Sequence, residues 1–170
     1  MNEALTQAPA ISTPNATPAI VLRPGEGEAV WFLDHFITVK ADAAKGAPFS
    51  LSEIAFPAGA HTPFHRHQGE SESFYVLEGE VTFVLEDGRK HTGGAGTFLH
   101  VPAGVAHGFQ TDSFTRMIVI TGQVGFLDLA RDAGGPAERR EIPPPAAPDL
   151  AKLDAAAARH GIDLLGPLPE

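Results

Sequence analysis

Two histidines and a carboxylate stand close together near the middle of the chain. His65 and His67 are separated by one residue, and Glu72 follows them after a polar stretch over residues 68–71. Side chains two positions apart on a β-strand point to the same side, so the two imidazoles would form a chelating pair. A turn over residues 68–71 would return the chain as a strand that places Glu72 beside His67. Imidazole nitrogens and carboxylate oxygens bind divalent transition metals, so this segment predicts metal chemistry.

A second block supplies a third imidazole. His107 follows a Pro-Ala-Gly turn at residues 102–104 and begins another predicted strand. It can meet the other three side chains only if the sheet curves closed, and a small barrel with inward-facing ligands has that geometry. Three imidazoles and one carboxylate leave one or two coordination positions open, which is typical of catalytic metal sites. Glu72 could also accept a proton from a bound hydroxyl as a general base.

The elements that must position these side chains are short β-rich runs separated by turn signals. Their spacing predicts a sandwich or a small barrel, and the absence of βαβ alternation argues against a parallel sheet. In residues 49–56 the apolar parity switches at Glu53, which predicts a bulge or a strand covered on both faces. The predicted strands are residues 19–22, 28–33, 36–40, 49–56, 64–67, 72–77, 80–86, 97–101, 106–110 and 114–121.

The two ends of the chain have a different character. Residues 1–18 are rich in Pro, Thr and Ala without periodicity, which predicts either a mobile tail or an arm that packs on a second subunit. Residues 123–170 are expected to form a helical extension. One short helix is predicted over residues 125–135, and a second begins near Asp149 and ends at Gly161.

The two histidine-bearing blocks resemble the two motifs of the cupin superfamily. The first motif, G-x5-H-x-H-x3/4-E-x6-G, is matched at every fixed position, and the second, G-x5-P-x-G-x2-H-x3-N, departs only at Thr111. That Asn is not a metal ligand in the family pattern, so the departure affects the predicted strand end more than the metal site. The matching residues are Gly59, His65, His67, Glu72 and Gly79, then Gly96, Pro102, Gly104 and His107.

The resemblance implies an all-β fold, a cupin-type double-stranded β-helix or jelly-roll barrel over residues 19–122, with one or two C-terminal helices. It also implies one divalent transition metal per chain, which would be nickel, manganese, iron or cobalt. The implied metal ligands are His65, His67, Glu72 and His107.

Within this superfamily the chain is similar to single-domain members of the quercetin 2,3-dioxygenase type. The similarity rests on H-R-H-x4-E-S-F-Y-V-L-E-G-E, on F-L-H-V-P-A-G-V-A-H-G-F and on the helical C-terminal extension. It implies a flavonol substrate that gives its 3-hydroxyl proton to Glu72 and is opened by dioxygen with loss of carbon monoxide. Phe74 and Phe109 share the parity of metal ligands and are expected to line the substrate cavity, together with His100.

Other functions remain open on these residues. The chain could be a decarboxylase, lyase or isomerase of a small acid, which a cavity lined by Arg or Lys would favour. It could instead be a non-catalytic cupin that binds a small ligand, or a barrel whose four polar side chains form a hydrogen-bonded cluster without metal. Phe occurs 11 times, which suits a dry cavity for an aromatic ligand.

Several other polar side chains are expected to lie away from the chemistry. Glu70 falls in the predicted turn and is interpreted as solvated, and His61 as a surface or rim residue. His35, His91 and His160 are expected to face solvent.

Charge and composition limit the partners. The net charge of −9 argues against nucleic acid and anionic membranes as partners. There is no run of about 20 apolar residues and no cysteine, so neither a membrane span nor a thiolate site is expected. The first residues lack an export signal, so the cytoplasm is the expected location. The sheet edges and the outer face of a barrel need cover, which predicts a homodimer that acts on a small aromatic substrate and O2.

Overall fold

The computed structural model describes residues 19–122 and 125–170, which form twelve β-strands and two α-helices. The N-terminal tail predicted over residues 1–18 lies outside the described residues. The elements in chain order are β1 (Glu28–Phe32), β2 (His35–Ala41), β3 (Ser50–Phe56), β4 (Phe64–His67), β5 (Glu72–Glu78), β6 (Glu80–Leu85), β7 (Lys90–Gly94), β8 (Phe98–Val101), β9 (His107–Gln110), β10 (Thr115–Thr121), α1 (Phe126–Ala133), β11 (Gly135–Pro136), α2 (Leu150–Arg159) and β12 (Ile162–Gly166).

The strands form two antiparallel sheets, so the predicted all-β jelly-roll architecture with C-terminal helices is confirmed. The order in the seven-stranded sheet is β11-β1-β2-β3-β10-β5-β8, and in the five-stranded sheet it is β12-β4-β9-β6-β7. Strand β10 has one face toward the core and one face away from it, because its side chains alternate between buried and half-buried along the whole strand. The inward-facing side chains of both sheets form one core that includes Ile37, Ile54, Phe56, Phe74, Phe83, Phe109 and Met117.

The turn between β5 and β6 requires the glycine that closes the first motif. Gly79 has a left-handed φ of 81°, which residues with a Cβ rarely adopt. A Cβ at this position would collide with the carbonyl oxygen of Phe114. The close approach of these two backbone segments therefore explains why the motif ends on Gly79.

The C-terminal extension is built into the barrel. Strand β12 pairs with β4, with Ile162 opposite His67 and Leu164 opposite His65. The Arg66 guanidinium donates a 2.7 Å hydrogen bond to Asp163 across the same pair of strands. The edge of the five-stranded sheet that carries two histidines of the first motif is thus covered by the end of the chain.

Two expectations about the strands are wrong, and three strands have no predicted counterpart. Residues 19–22 are not a strand, and β7, β11 and β12 were not predicted. Strand β3 has no parity switch, because Ser50 and Ser52 are buried on the same face as Ile54. Its register is set by continuous pairing with β10, and small serines fit the inner face where apolar residues were expected. The irregularity lies in β2, where its register with β3 shifts between Val39 and Ala41.

Within the residues that the structure describes, neither helix has the length and apolar character needed to span a membrane.

Candidate metal centre

Four side chains from three strands converge between the two sheets. His65 and His67 come from β4, His107 from β9 and Glu72 from β5 of the other sheet. One potential ligand atom of each residue lies within 4.8 Å of those of the other three. The Nε2 atoms of His107 and His67 lie 3.0 and 3.1 Å from Glu72 Oε2, and that of His65 lies 3.9 Å away. The structure therefore brings together the four residues that the motifs single out.

Two of the imidazoles are oriented by backbone carbonyls. Nδ1 of His65 lies 2.9 Å from the carbonyl oxygen of Pro63, and Nδ1 of His107 lies 3.1 Å from that of Val105. A carbonyl oxygen only accepts hydrogen bonds, so Nδ1 carries the hydrogen in the neutral ring. Each Nε2 then directs its lone pair toward Glu72, which is the arrangement that metal-binding histidines require.

The third imidazole is oriented by a carboxylate. Nδ1 of His67 donates to Oε1 of Glu70 over 2.9 Å, and both side chains are buried. The expectation that Glu70 is solvated is therefore wrong, because the turn after β4 folds this side chain inward. A carboxylate on the far nitrogen fixes the ring and makes it a better ligand.

The electrostatics of the cluster call for a cation. Burial alone raises the pKa of Glu72, but the charge of His67 and the close approach of the His107, His65 and His67 imidazoles hold that pKa well below its usual range. Burial lowers the pKa of His67, yet the charge of Glu72 and the hydrogen bond to Glu70 outweigh it and raise the pKa to about 10. Burial also lowers the pKa of His65. The His67 imidazolium would thus supply the positive charge unless another cation did.

The donor set fits a divalent transition metal. Nε2 of His67 is a buried polar atom without a hydrogen-bond partner among the described residues. Such an atom is costly to bury unless it binds something, and here it lies next to a carboxylate oxygen. Three nitrogen donors and one oxygen donor suit metals such as iron, manganese, cobalt or nickel. The cluster can therefore hold one metal ion.

A narrow apolar cavity leads to the cluster. It measures about 50 Å³ and is bounded by His65, His67 and Glu72 at one side. Phe74 and Phe109 are among the residues that line it. Side chains of the C-terminal extension close it from another side, namely Phe126, Leu129, Leu153, Ile162 and Leu164.

Comparison with known proteins identifies the family. Residues 52–121 match the family model of the cupin domain, and this range contains all four residues of the cluster. The barrel fold, the two sequence motifs and this match all indicate the same family. The chain belongs to the cupin superfamily.

Two curated proteins and one solved structure illustrate its relatives. The cupin is 28% identical over 156 residues to quercetin 2,3-dioxygenase from Bacillus subtilis (strain 168), which covers 91% of this chain and 46% of the relative. It is 33% identical over 72 residues to a dimethylsulfoniopropionate lyase from Ruegeria pomeroyi, covering 39% of this chain and 35% of the lyase. The chain thus spans less than half the length of either curated relative. The crystal structure of ectoine synthase from P. lautus shares the fold, with a TM-score of 0.55 at 16% identity, covering 84% of this chain and 85% of that one.

One expected cavity residue of the cupin lies elsewhere. His100 is exposed, and its Nδ1 lies 2.8 Å from Ser73 Oγ on the outer face of the sheet. Its cross-strand partner is Ser73, whose side chain points away from the side that Glu72 occupies. The expectation that His100 lines the substrate cavity is therefore wrong, because strand pairing gives it the opposite parity.

Another histidine lines the cavity against expectation. His35 is only 3% exposed and borders the same cavity as the cluster. Its ring packs edge-on against Phe56, with centroids 4.6 Å apart. The expectation of a solvent-facing side chain is wrong, although a signal existed, because His35 shares the parity of the buried Ile37 and Val39.

The remaining histidines have simpler surroundings. His61 and His91 are exposed as predicted. His160 is half-buried, and its Nε2 lies 2.8 Å from Asp132 Oδ2, so the expected solvent exposure is only partly met.

Thr111, which stands where the second cupin motif has Asn, has a structural role. Thr111 is buried, and its hydroxyl donates a 3.0 Å hydrogen bond to the carbonyl oxygen of Pro57. Its backbone also bonds Ala60 and Gly59. Thr111 therefore ties the end of β9 to the loop before β4, which supports the histidine strand.

Proposed function

We propose that this cupin is a metal-dependent dioxygenase that cleaves a flavonol-like aromatic substrate with O2 and releases carbon monoxide. The observation that carries the proposal is an apolar, phenylalanine-lined cavity whose wall includes His65, His67 and Glu72 of the cluster. Among the described residues, neither Lys nor Arg lines this cavity, which disfavours a small anionic acid as substrate. The similarity to quercetin 2,3-dioxygenase supports the same reaction class.

Each polar residue of the site has a role in this proposal. His65, His67, Glu72 and His107 would hold the metal, whose Lewis acidity and redox chemistry would activate the substrate when it is bound. Glu72 would accept the proton of the substrate hydroxyl through Oε2, which lies 3.0 and 3.1 Å from two of the imidazoles.

The apolar residues of the cavity would orient the substrate and exclude water. Phe74 and Phe109 lie in edge-on contact, with centroids 5.8 Å apart, beside the cluster. A flat aromatic ring packs well against such edges, and the absence of water protects reactive intermediates from hydrolysis.

His35 would meet the end of the substrate that lies away from the metal. It is a buried polar side chain in an otherwise apolar part of the cavity wall. Its Nδ1 lies 2.5 Å from Asp34 Oδ1, so Nε2 would be the nitrogen that meets the substrate. We propose that His35 hydrogen-bonds a hydroxyl of the remote substrate ring.

The proposed reaction can be tested on the protein loaded in turn with nickel, manganese, iron or cobalt. Metal content is measured by elemental analysis, and flavonol consumption and carbon monoxide release are followed under air and under argon. We expect turnover under air alone, with at least one metal. A stoichiometrically loaded protein that consumes no flavonol under air would contradict the dioxygenase proposal.

The size of the cavity favours a second candidate, a cupin lyase of a small molecule. The cavity of about 50 Å³ is far smaller than sites for drug-sized ligands, which measure about 300–1,000 Å³. A flavonol can enter only if part of the wall moves, whereas a small substrate needs no such movement. The similarity to a dimethylsulfoniopropionate lyase over 72 residues points the same way. Oxygen-independent turnover of a small substrate under argon would identify this candidate.

A further inference from the structure

Glu70 joins the metal cluster to the C-terminal helices. Its Oε1 accepts one hydrogen bond from Nδ1 of His67 at 2.9 Å and a second from the backbone N–H of Phe126 at 2.6 Å. Phe126 is the first residue of α1, and the two donors belong to segments far apart in the sequence. The carboxylate is 7% exposed, so both bonds form away from water.

The surrounding backbone is shaped for this carboxylate. Gly125 has a φ of 129°, and a Cβ there would collide with Oε1 of Glu70. A Cβ on Gly122 would come within 2.9 Å of the Glu70 Cβ. Gly122 and Gly125 therefore approach Glu70 more closely than residues with a side chain could.

Helix α1 depends on this contact at its first turn. Gly125 precedes the helix and has no side chain with which to cap it. A carboxylate oxygen on the first N–H both satisfies a free donor and interacts favourably with the helix dipole. The same helix carries Phe126 and Leu129, which line the cavity. One oxygen atom thus contacts a metal-ligand ring and the helix that forms a cavity wall.

We propose that Glu70 is a positioning residue that couples metal binding at His67 to the docking of α1 over the cavity. A cation at Nε2 of His67 makes the Nδ1–H group a stronger donor, which holds the Glu70 carboxylate in place for Phe126. Coupling of this kind is reciprocal, so docking of α1 also favours metal binding. The proposal rests on the proposed metal centre and is independent of the reaction catalysed there.

The test uses Ni²⁺ as the probe on the wild-type chain, Glu70→Ala and Glu70→Gln. Ni²⁺ affinity is measured by competition with a chromophoric chelator, and hydrogen exchange at the first amides of α1 is measured with and without Ni²⁺. We expect Glu70→Ala to bind Ni²⁺ about 10–100-fold more weakly. Ni²⁺ should slow exchange in α1 of the wild type and not in Glu70→Ala. Glu70→Gln keeps the accepting oxygen and should restore much of both effects.

A second pair of variants tests the same contact from the helix side. Gly125→Ala should displace the carboxylate and reproduce both effects of Glu70→Ala. Gly88→Ala is the matched control, because Gly88 also has a left-handed φ, of 78°, but a Cβ there meets nothing within 4 Å. If Glu70→Ala does not fold, Gly125→Ala and Glu70→Asp, which is too short to reach both donors, carry the test.

Two results would overturn the coupling. One is that the folded variants bind Ni²⁺ as tightly as the wild type does. The other is that Ni²⁺ slows hydrogen exchange in α1 of the variants as much as in the wild type. Neither readout involves turnover, so failure of the dioxygenase proposal leaves this result intact.

Discussion

At the scale of single residues, Glu72 carries the charge on which the site depends. It is buried among three imidazoles, and its Oε2 is within about 3 Å of two of them. A buried carboxylate keeps its charge only if neighbouring groups compensate for the lost hydration. The three histidines supply that compensation without metal, and a bound cation would supply it more fully.

Replacing Glu72 with Gln should abolish flavonol turnover and leave the barrel folded. The amide has nearly the same shape but cannot accept the substrate proton, and it removes a negative charge from the metal site. Turnover is measured under air at saturating metal, and circular dichroism checks the fold. Full activity in Glu72→Gln would refute the role of proton acceptor.

Replacing His35 with Phe should affect recognition of the remote end of the substrate. We expect KM for quercetin to rise about tenfold, as for the loss of one hydrogen bond worth about 1–1.5 kcal/mol. KM for 3-hydroxyflavone, which lacks the remote hydroxyls, should stay unchanged. His91→Phe, at an exposed position, is the control. An equal rise in KM for both substrates would mean that His35 acts through packing alone.

Residue identity and spacing were sufficient to predict that His65, His67, Glu72 and His107 cluster, and insufficient to predict the residues that support them. His65, His67 and Glu72 could be grouped because strand parity and one turn relate them. Glu70 could not be recognised, since its partner Phe126 is 56 positions away and no local pattern reports that contact. The burial of His35 could have been predicted from strand parity, because His35 lies on the same side of β2 as the buried Ile37 and Val39.

At the scale of elements, strand β12 supports the strand that carries the histidine pair. Ile162 is 3% exposed, lies opposite His67 and lines the cavity. We expect Ile162→Ala to lower the free energy of unfolding by about 2–5 kcal/mol, because it leaves a cavity in the core. Leu165→Ala on the same strand, at 47% exposure, should cost less than about 0.5 kcal/mol. Urea denaturation of both variants checks this, and similar losses would contradict the supporting role of β12.

Helix α1 is also fixed to the barrel by an ion cluster. The Arg131 guanidinium donates hydrogen bonds to Glu28 on β1, at 2.9 Å, and to Asp42 after β2. The bond from Arg131 lowers the pKa of Glu28. Burial raises the pKa of Asp42, but Arg131 and Lys45 outweigh it and lower that pKa as well.

This cluster predicts a pH-dependent contribution to stability. Both carboxyl pKa values are lower in the folded state, so the stabilisation is complete above the unfolded value of about 4 and is lost as the pH falls through the folded values. The difference in unfolding free energy between wild type and Arg131→Met should therefore be largest near pH 7 and shrink below pH 4. Denaturation at several pH values measures it, and a constant difference would exclude the cluster as its cause.

The strands could be predicted where apolar and polar residues alternate clearly along the sequence. The strands that escaped prediction lack this alternation. Strand β7 has the sequence KHTGG, without an apolar residue, and forms because β6 offers it a complete row of partners. Strand β12 is short and follows a helix, so its pairing with β4 depends on tertiary contacts. The helices could be placed because Asp149 caps α2 through Lys152 and glycines mark their ends.

At the scale of the whole molecule, the outer face of the seven-stranded sheet carries exposed aromatic residues. Tyr75 and Phe98 are cross-strand neighbours, and Phe98 is 62% exposed. Strand β8 is also the last strand of its sheet, and unpaired edges invite association with another chain. Apolar groups on such a surface are compatible with the proposed homodimer.

The proposed homodimer is tested by light scattering at micromolar concentration. We expect the wild type to be a dimer and Phe98→Glu to be largely monomeric, because a charge would be buried without a partner. Leu150→Glu, at an equally exposed position on α2, is the control and should stay dimeric. A monodisperse wild-type monomer would remove the proposal.

The position of the cluster between the two sheets has a mechanical consequence. Glu72 belongs to one sheet and the three histidines belong to the other. An ion held by all four would therefore cross-link the two sheets of the barrel. The denatured chain has no such site, so ion binding raises the free energy of unfolding. The gain is about 2.7 kcal/mol when the free ion concentration is one hundred times the dissociation constant. At constant pH and ionic strength, the melting temperature of the protein would then report how much of it holds an ion.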